Sequence, residues 1–190
     1  MAALPALSIL KRAALGALAL AAAVACGGAG PVQGSLEYPV KAAYLYKFAP
    51  FVAWPDAAYG GPNAPFSICV AGADPFGPLL DQIVGGQRVG ARIITVHRLT
   101  KVEAGASCQI LYVGGGKGQS TTEALAAVRG APVLTVTDAS LRGNGAKGVI
   151  DFVIKDNRVR FEIDDQAAAR NGLNISSKLL SLAVAVKPRT

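Results

Sequence analysis

The side chains of this 190-residue chain that could carry chemistry are a lysine set among glycines, a single histidine, three cysteines and a few carboxylates near strand ends. Gly114-Gly115-Gly116-Lys117-Gly118 lies between a predicted strand and a predicted helix, where a phosphate-cradling loop would sit. Such a loop needs four residues between its first glycine and a Gly-Lys pair followed by Ser or Thr, so that amide hydrogens wrap the phosphates while the hydroxyl reaches magnesium. Gly118 follows Lys117, so nucleotide binding is not supported. The segment reads as a flexible, solvated turn, with weak anion capture at the next helix N-terminus as the residual option. His97 stands with Arg98 at the end of a predicted strand. One imidazole cannot build a multi-histidine metal site, and no Gly-x-Ser-x-Gly elbow offers it a nucleophile. Asp164 and Asp165 are adjacent and diverge on a helix, so they read as an N-cap and a dipole partner. Asp138, at the C-terminal end of a predicted strand, is the best single acidic candidate for ligand contact. No acid, base, nucleophile, metal cage or cofactor loop assembles from these residues. The chain reads as a binding protein without a cofactor and not as an enzyme.

The cysteines depend on the compartment, which the first residues set. Lys11 and Arg12 precede an apolar run from Ala13 to Ala25, and Ala23-Val24-Ala25 has the small-x-small form of a cleavage site. The run is too short for a membrane anchor, which takes about 20 residues. Residues 1–25 are therefore predicted to be a signal peptide, 26–37 a flexible lead-in and 38–190 a single α/β domain of a periplasmic protein. Lys11 and Arg12 leave with the leader, so 17 basic residues face 12 acidic ones, a net charge of +5. The charge forms no basic cluster with interleaved aromatics, which argues against a nucleic-acid partner. Cys69 and Cys108 each fall on a predicted strand. If those strands are neighbours, a bridge would close a loop of about 40 residues, worth roughly 3–4 kcal/mol on the chain-entropy estimate; otherwise two buried thiols result. Cys26 directly follows the cleavage motif. Lipid attachment there would anchor the protein, whereas a cut further along, near Ala29-Gly30, would remove the thiol and leave the protein soluble.

KAAYLYKFAPFVAWP places Tyr44, Phe48, Phe51 and Val52 at helical spacing before Trp54-Pro55. Pro39 suits a helix start, and Pro50 should kink or weaken the helix. Strands are predicted at 66–71, 92–97, 109–113 and 133–137. Helices are predicted at 76–84, with Asp74 as N-cap, and at 120–128. This alternation implies parallel pairing. Residues 149–155 and 158–163 flank the turn pair Asp156-Asn157 and read as an antiparallel hairpin. Helices at 164–170 and 176–186 finish the chain. The expected fold class is α/β: a single-domain mixed sheet of about six strands, largely parallel, with a C-terminal antiparallel hairpin and flanking helices. Leu179, Leu180, Leu182, Val184 and Val186 make the last predicted helix apolar on more than one face. With Phe51 and Trp54, Leu179, Leu180 and Leu182 are the candidates for contact with a partner or a second subunit.

The opening helix, FSICVAGADPFGPLLD, Gly90-Ala91-Arg92, CQILYVG, VLTVTD and above all FEIDDQAAARNGLNISSKLLSLA resemble the YfiR family of small exported bacterial proteins. That resemblance implies a periplasmic repressor that binds the periplasmic portion of an inner-membrane diguanylate cyclase, acting upstream of cyclic di-GMP and biofilm formation. It also implies a homodimer, an outer-membrane lipoprotein as the partner that relieves repression, and a Cys69–Cys108 disulfide. A second cysteine pair found in the best-understood family type has no counterpart between Leu141 and Phe152, which removes any redox sensing that depends on it. The alternative function is a ligand-sensing accessory domain for a sensor kinase or an outer-membrane transport system.

Overall fold

A computed structural model describes residues 36–190. The predicted signal peptide, Cys26 and nearly all of the lead-in lie outside the described residues. The chain begins with helix α1 (Glu37–Phe48), tightens into a 3₁₀ turn (Ala49–Phe51) and enters strand β1 (Val52–Ala53). There follow β2 (Phe66–Ala71), α2 (Pro78–Val84), β3 (Arg88–Val89), β4 (Arg92–Leu99), β5 (Ile110–Val113), α3 (Thr121–Ala127) and β6 (Leu134–Asp138). The last third comprises α4 (Ala139–Arg142), β7 (Ile150–Lys155), β8 (Arg158–Asp164), α5 (Asp165–Arg170), β9 (Asn174–Ile175), α6 (Ser177–Leu180) and β10 (Ala185–Lys187).

The main sheet has eight strands in the order β10-β8-β7-β6-β5-β2-β4-β3. β4, β2, β5, β6 and β7 run parallel, β8 returns antiparallel to β7, and β3 and β10 extend the two edges. The fold class is the expected one, with more strands than the alternation suggested. β2, first of the parallel set in sequence, lies between β4 and β5, so the direction of winding reverses there. β2 and β5 are covered on both faces, which is why they read as near-continuous apolar runs, whereas β4 is partly exposed. Ile68, Val70, Ile110, Tyr112, Leu134 and Val136 point to one core, against α1 and α2. Cys69, Ala71, Leu111 and Val113 point to a second core with Ala124 of α3, Val128 and Val133.

Local chemistry accounts for the element boundaries. Pro50 ends the i→i−4 pattern of α1, so the helix stops at Phe48 and the aromatic stretch finishes as a 3₁₀ turn. The buried face of α1 passes through Lys41, Ala42, Leu45 and Phe48, and Tyr44 sits at its margin. α3 starts with a reciprocal capping box between Ser120 and Glu123. Asp164 caps α5 by accepting from Ala167 N at 2.7 Å. Asp156 and Asn157 both have positive φ, 51° and 55°, as a two-residue hairpin turn of the primed type demands. Asp74, expected as the N-cap of α2, instead accepts from Phe76 N and Gly77 N one turn earlier, and Pro78 starts the helix.

The largest departure is at the C-terminus. The helix expected over 176–186 is only the single turn α6, after which the chain extends and pairs β10 with the outer edge of β8. Ser181 Oγ donates back to Lys178 O at 2.9 Å, and the Val184-Ala185-Val186 run that follows favours extended backbone. The open edge of β8 supplies the hydrogen bonds. β1 and β9 form a separate two-stranded ribbon, Val52 opposite Ile175, that ties the end of α1 to the C-terminal region.

Candidate functional site

The aromatic residues of α1 rest on the hairpin. Phe48 is buried edge-on to Phe161, with ring centroids 5.2 Å apart, and lies 6.0 Å from Phe152. Tyr44 stacks on Phe48 at 5.7 Å and meets the Phe161 edge at 5.6 Å. This rigid layer is the floor of an apolar groove of about 230 Å³, walled by Phe51, Leu179 and Leu182 and rimmed by Lys47 and Arg160. Pro50 turns the chain so that Phe51 reaches the groove, and Ser176 N donates to Phe51 O at 2.9 Å, joining its two walls. Lys178 Nζ lies 5.7 Å from the centre of the Phe51 ring. Leu179 is 2% exposed and belongs to the core, whereas Leu182 is 59% exposed at the lip.

Three of the five residues singled out for partner contact, Phe51, Leu179 and Leu182, thus come together. Leu180 packs against the core outside the groove lining. Trp54 faces elsewhere: its indole N–H donates to Gln109 O at 3.2 Å and its ring meets Phe66 edge-on at 5.2 Å.

Asp138 does lie at a strand's C-terminal end, but its carboxylate is occupied from within. It is 1% exposed, receives Lys41 Nζ at 2.5 Å and accepts from Ser140 N and Oγ at 3.0 and 2.7 Å. Lys41 is itself fully buried, paired also with Glu37 and 5.4 Å from the Tyr38 ring centre. Burial, reinforced by the neighbouring Asp138 carboxylate, pushes the Tyr112 phenol above its ordinary value. These groups satisfy one another and pin α1 to the end of β6. A second buried acid, Asp151, is held by Thr137 Oγ1 at 2.6 Å and by a two-pronged Arg142 contact. Among the described residues no three His, Cys, Asp or Glu side chains converge as a metal cage. No described helix is long and apolar enough to cross a membrane.

Cys69 on β2 and Cys108, just before the adjacent β5, are joined by a disulfide with Cα atoms 5.8 Å apart. His97 pairs in register with Cys69 and is exposed, its ring within 3.1 Å of Thr95 Oγ1. The glycine run after β5 is solvated over Gly116–Gly118, as expected, but tightly packed at its start. Gly114 is buried, and a Cβ there would fall 1.9 Å from Ala73 O.

The model of the YfiR/HmsC-like family matches residues 38–184. The chain belongs to that family. No protein with a curated description matches the chain. The family match spans α1 and all but the end of the sheet, so groove and disulfide both lie within the shared domain.

Proposed function

We propose that this chain is an exported, non-catalytic regulatory protein of the YfiR/HmsC-like family, one that holds an inner-membrane diguanylate cyclase inactive by binding its periplasmic portion. The observation that carries this reading is the groove between α1, β8 and α6. It offers an aromatic floor, an exposed leucine at its lip and the cations Lys47, Arg160 and Lys178 around it, none of which has an ion pair among the described residues. Such a surface suits an acidic partner segment carrying an apolar anchor, since charge complementarity steers encounter while a buried apolar contact holds it. A lipoprotein that relieves repression would compete for the same groove, and a homodimer would leave it open.

The test uses the mature chain and the periplasmic portion of a cyclase encoded beside it. Binding should weaken at least about tenfold in Leu182→Glu, which replaces an apolar contact at the groove's lip by a charge that repels an acidic partner, with an unchanged melting temperature. Deleting the gene should raise cyclic di-GMP and biofilm formation. Unchanged nucleotide levels in a strain that expresses the cyclase would reject the repressor reading.

A further inference from the structure

We propose that the crevice between the loops that follow β4 and β5 is a binding site for a small phosphate-bearing anion. In the parallel block the order β4-β2-β5-β6-β7 reverses its winding between β2 and β5, which puts the loop after β4 and the loop after β5 on opposite sides of β2. Open α/β sheets take their ligands in the crevice so formed, outside the carboxyl ends of the strands. Here it is a cavity of about 230 Å³ bounded by Gly72, Thr100, Gly115, Gly116, Lys117 and Gln119, with Val113 and Ala124 beneath.

Backbone atoms set its shape. A Cβ on Gly72 would fall 2.1 Å from Gly115 O, and Ala73 N donates to that same oxygen at 2.6 Å, so the loops after β2 and β5 are locked together. Gln119 spends its side chain on both backbone groups of Val102, at 2.8 and 2.9 Å, which fixes the loop after β4 as the opposite wall. The donors that remain face no internal acceptor. The amides of Gly116, Lys117 and Gly118 make no hydrogen bond among the described residues, and Lys117 Nζ has no ion pair there. No carboxylate lines the cavity. The N-terminus of α3 takes no part, because Ser120 and Glu123 already cap it.

One exposed cation, a run of exposed amides without internal acceptors and the exposed Thr100 hydroxyl, with no acid among them, match a ligand whose oxygens are all acceptors. The volume is below the roughly 300–1,000 Å³ of pockets for drug-sized ligands, which favours phosphate or a small phosphomonoester over a nucleotide. Except through the sheet, the site has nothing in common with the apolar groove; none of its lining residues is shared.

The experiment is an amide-resolved NMR titration of the mature chain with inorganic phosphate and, separately, glycerol 3-phosphate, with chloride at matched ionic strength as control. Saturable shifts are expected at Gly116, Lys117 and Gly118. Tighter binding of the ester would assign an organic phosphate, and equal binding the ion itself. Lys117→Gln should raise the midpoint about tenfold, the loss of one charge-assisted hydrogen bond. Gly118→Asp, whose new side chain meets open space, should abolish the response by repulsion while leaving the melting temperature unchanged. Shifts that never saturate, or that persist unaltered in both variants, would overturn the site.

Discussion

Lys41 is the residue on which the N-terminal helix turns. A lysine with no exposed surface is tolerable only if its charge is answered, and Glu37 and Asp138 answer it. Removing one partner of such a buried pair typically costs about 3–5 kcal/mol, because the survivor stays buried and uncompensated. Lys41→Met should therefore lower urea stability by about that amount, and adding Asp138→Asn, which keeps the acceptor for Ser140 N, should restore part of the loss. A double variant no more stable than Lys41→Met alone would mean the charge of Asp138 is not what was left uncompensated. Tyr112 predicts a pH dependence. Its phenol holds its proton more tightly in the folded protein than in the unfolded chain, whose tyrosines ionise near the ordinary value of 10.0. Its contribution is then complete below pH 10 and lost as the pH rises beyond it, so alkaline unfolding should be less steep in Tyr112→Phe. Asp138 was visible from its place at a strand end, but its partner was not. The signal existed, since Lys41 stands at i−4 and i−7 from Leu45 and Phe48 on the buried face, one position round from the aromatic stripe.

Among the elements, those with strong local signals lay where the sequence placed them and those decided by an edge did not. β2 coincides with its apolar run, and the hairpin follows from Asp156-Asn157 and the alternation around it. β10 could not be read, because three exposed residues carry no periodicity; the unpaired edge of β8 recruits them. The same lack hides β1 and β9, two residues each. Two predictions belong at this scale. Leu179→Ala should cost about 2–5 kcal/mol as a buried truncation, whereas Leu182→Ala, at an exposed position, should change stability by no more than about 0.5 kcal/mol and weaken only partner binding. Thermal melts and a binding titration on the two variants separate these roles. Replacing Cys69 and Cys108 by alanine opens a loop of 39 residues. The chain-entropy estimate gives a loss of about 4 kcal/mol for that loop, which denaturant titration would read; a change below about 1 kcal/mol would show that the bridge hardly constrains the unfolded chain.

For the molecule as a whole, the alternation of elements conveyed the parallel block, and no residue pattern conveyed how its two ends are tied together. Val52 meets Ile175, and Lys41 meets Asp138 across 97 residues. Contacts of such separation form late, since the intervening chain must be ordered before they repay its loss of freedom. For a chain exported with its N-terminus leading, α1 would meet α2 early but lack Phe152 and Phe161 until most of the chain has arrived. Tyr44 and Phe48 would stay uncovered throughout passage, which keeps the polypeptide threadable through a pore that admits only extended chain and leaves it exposed to proteases and chaperones on the far side. A protein cut off before Ile175 would keep the partners of α1 but lose the β1–β9 ribbon and buried Leu179, so nonsense changes near the C-terminus should act on the abundance of the protein well before they act on any contact it makes.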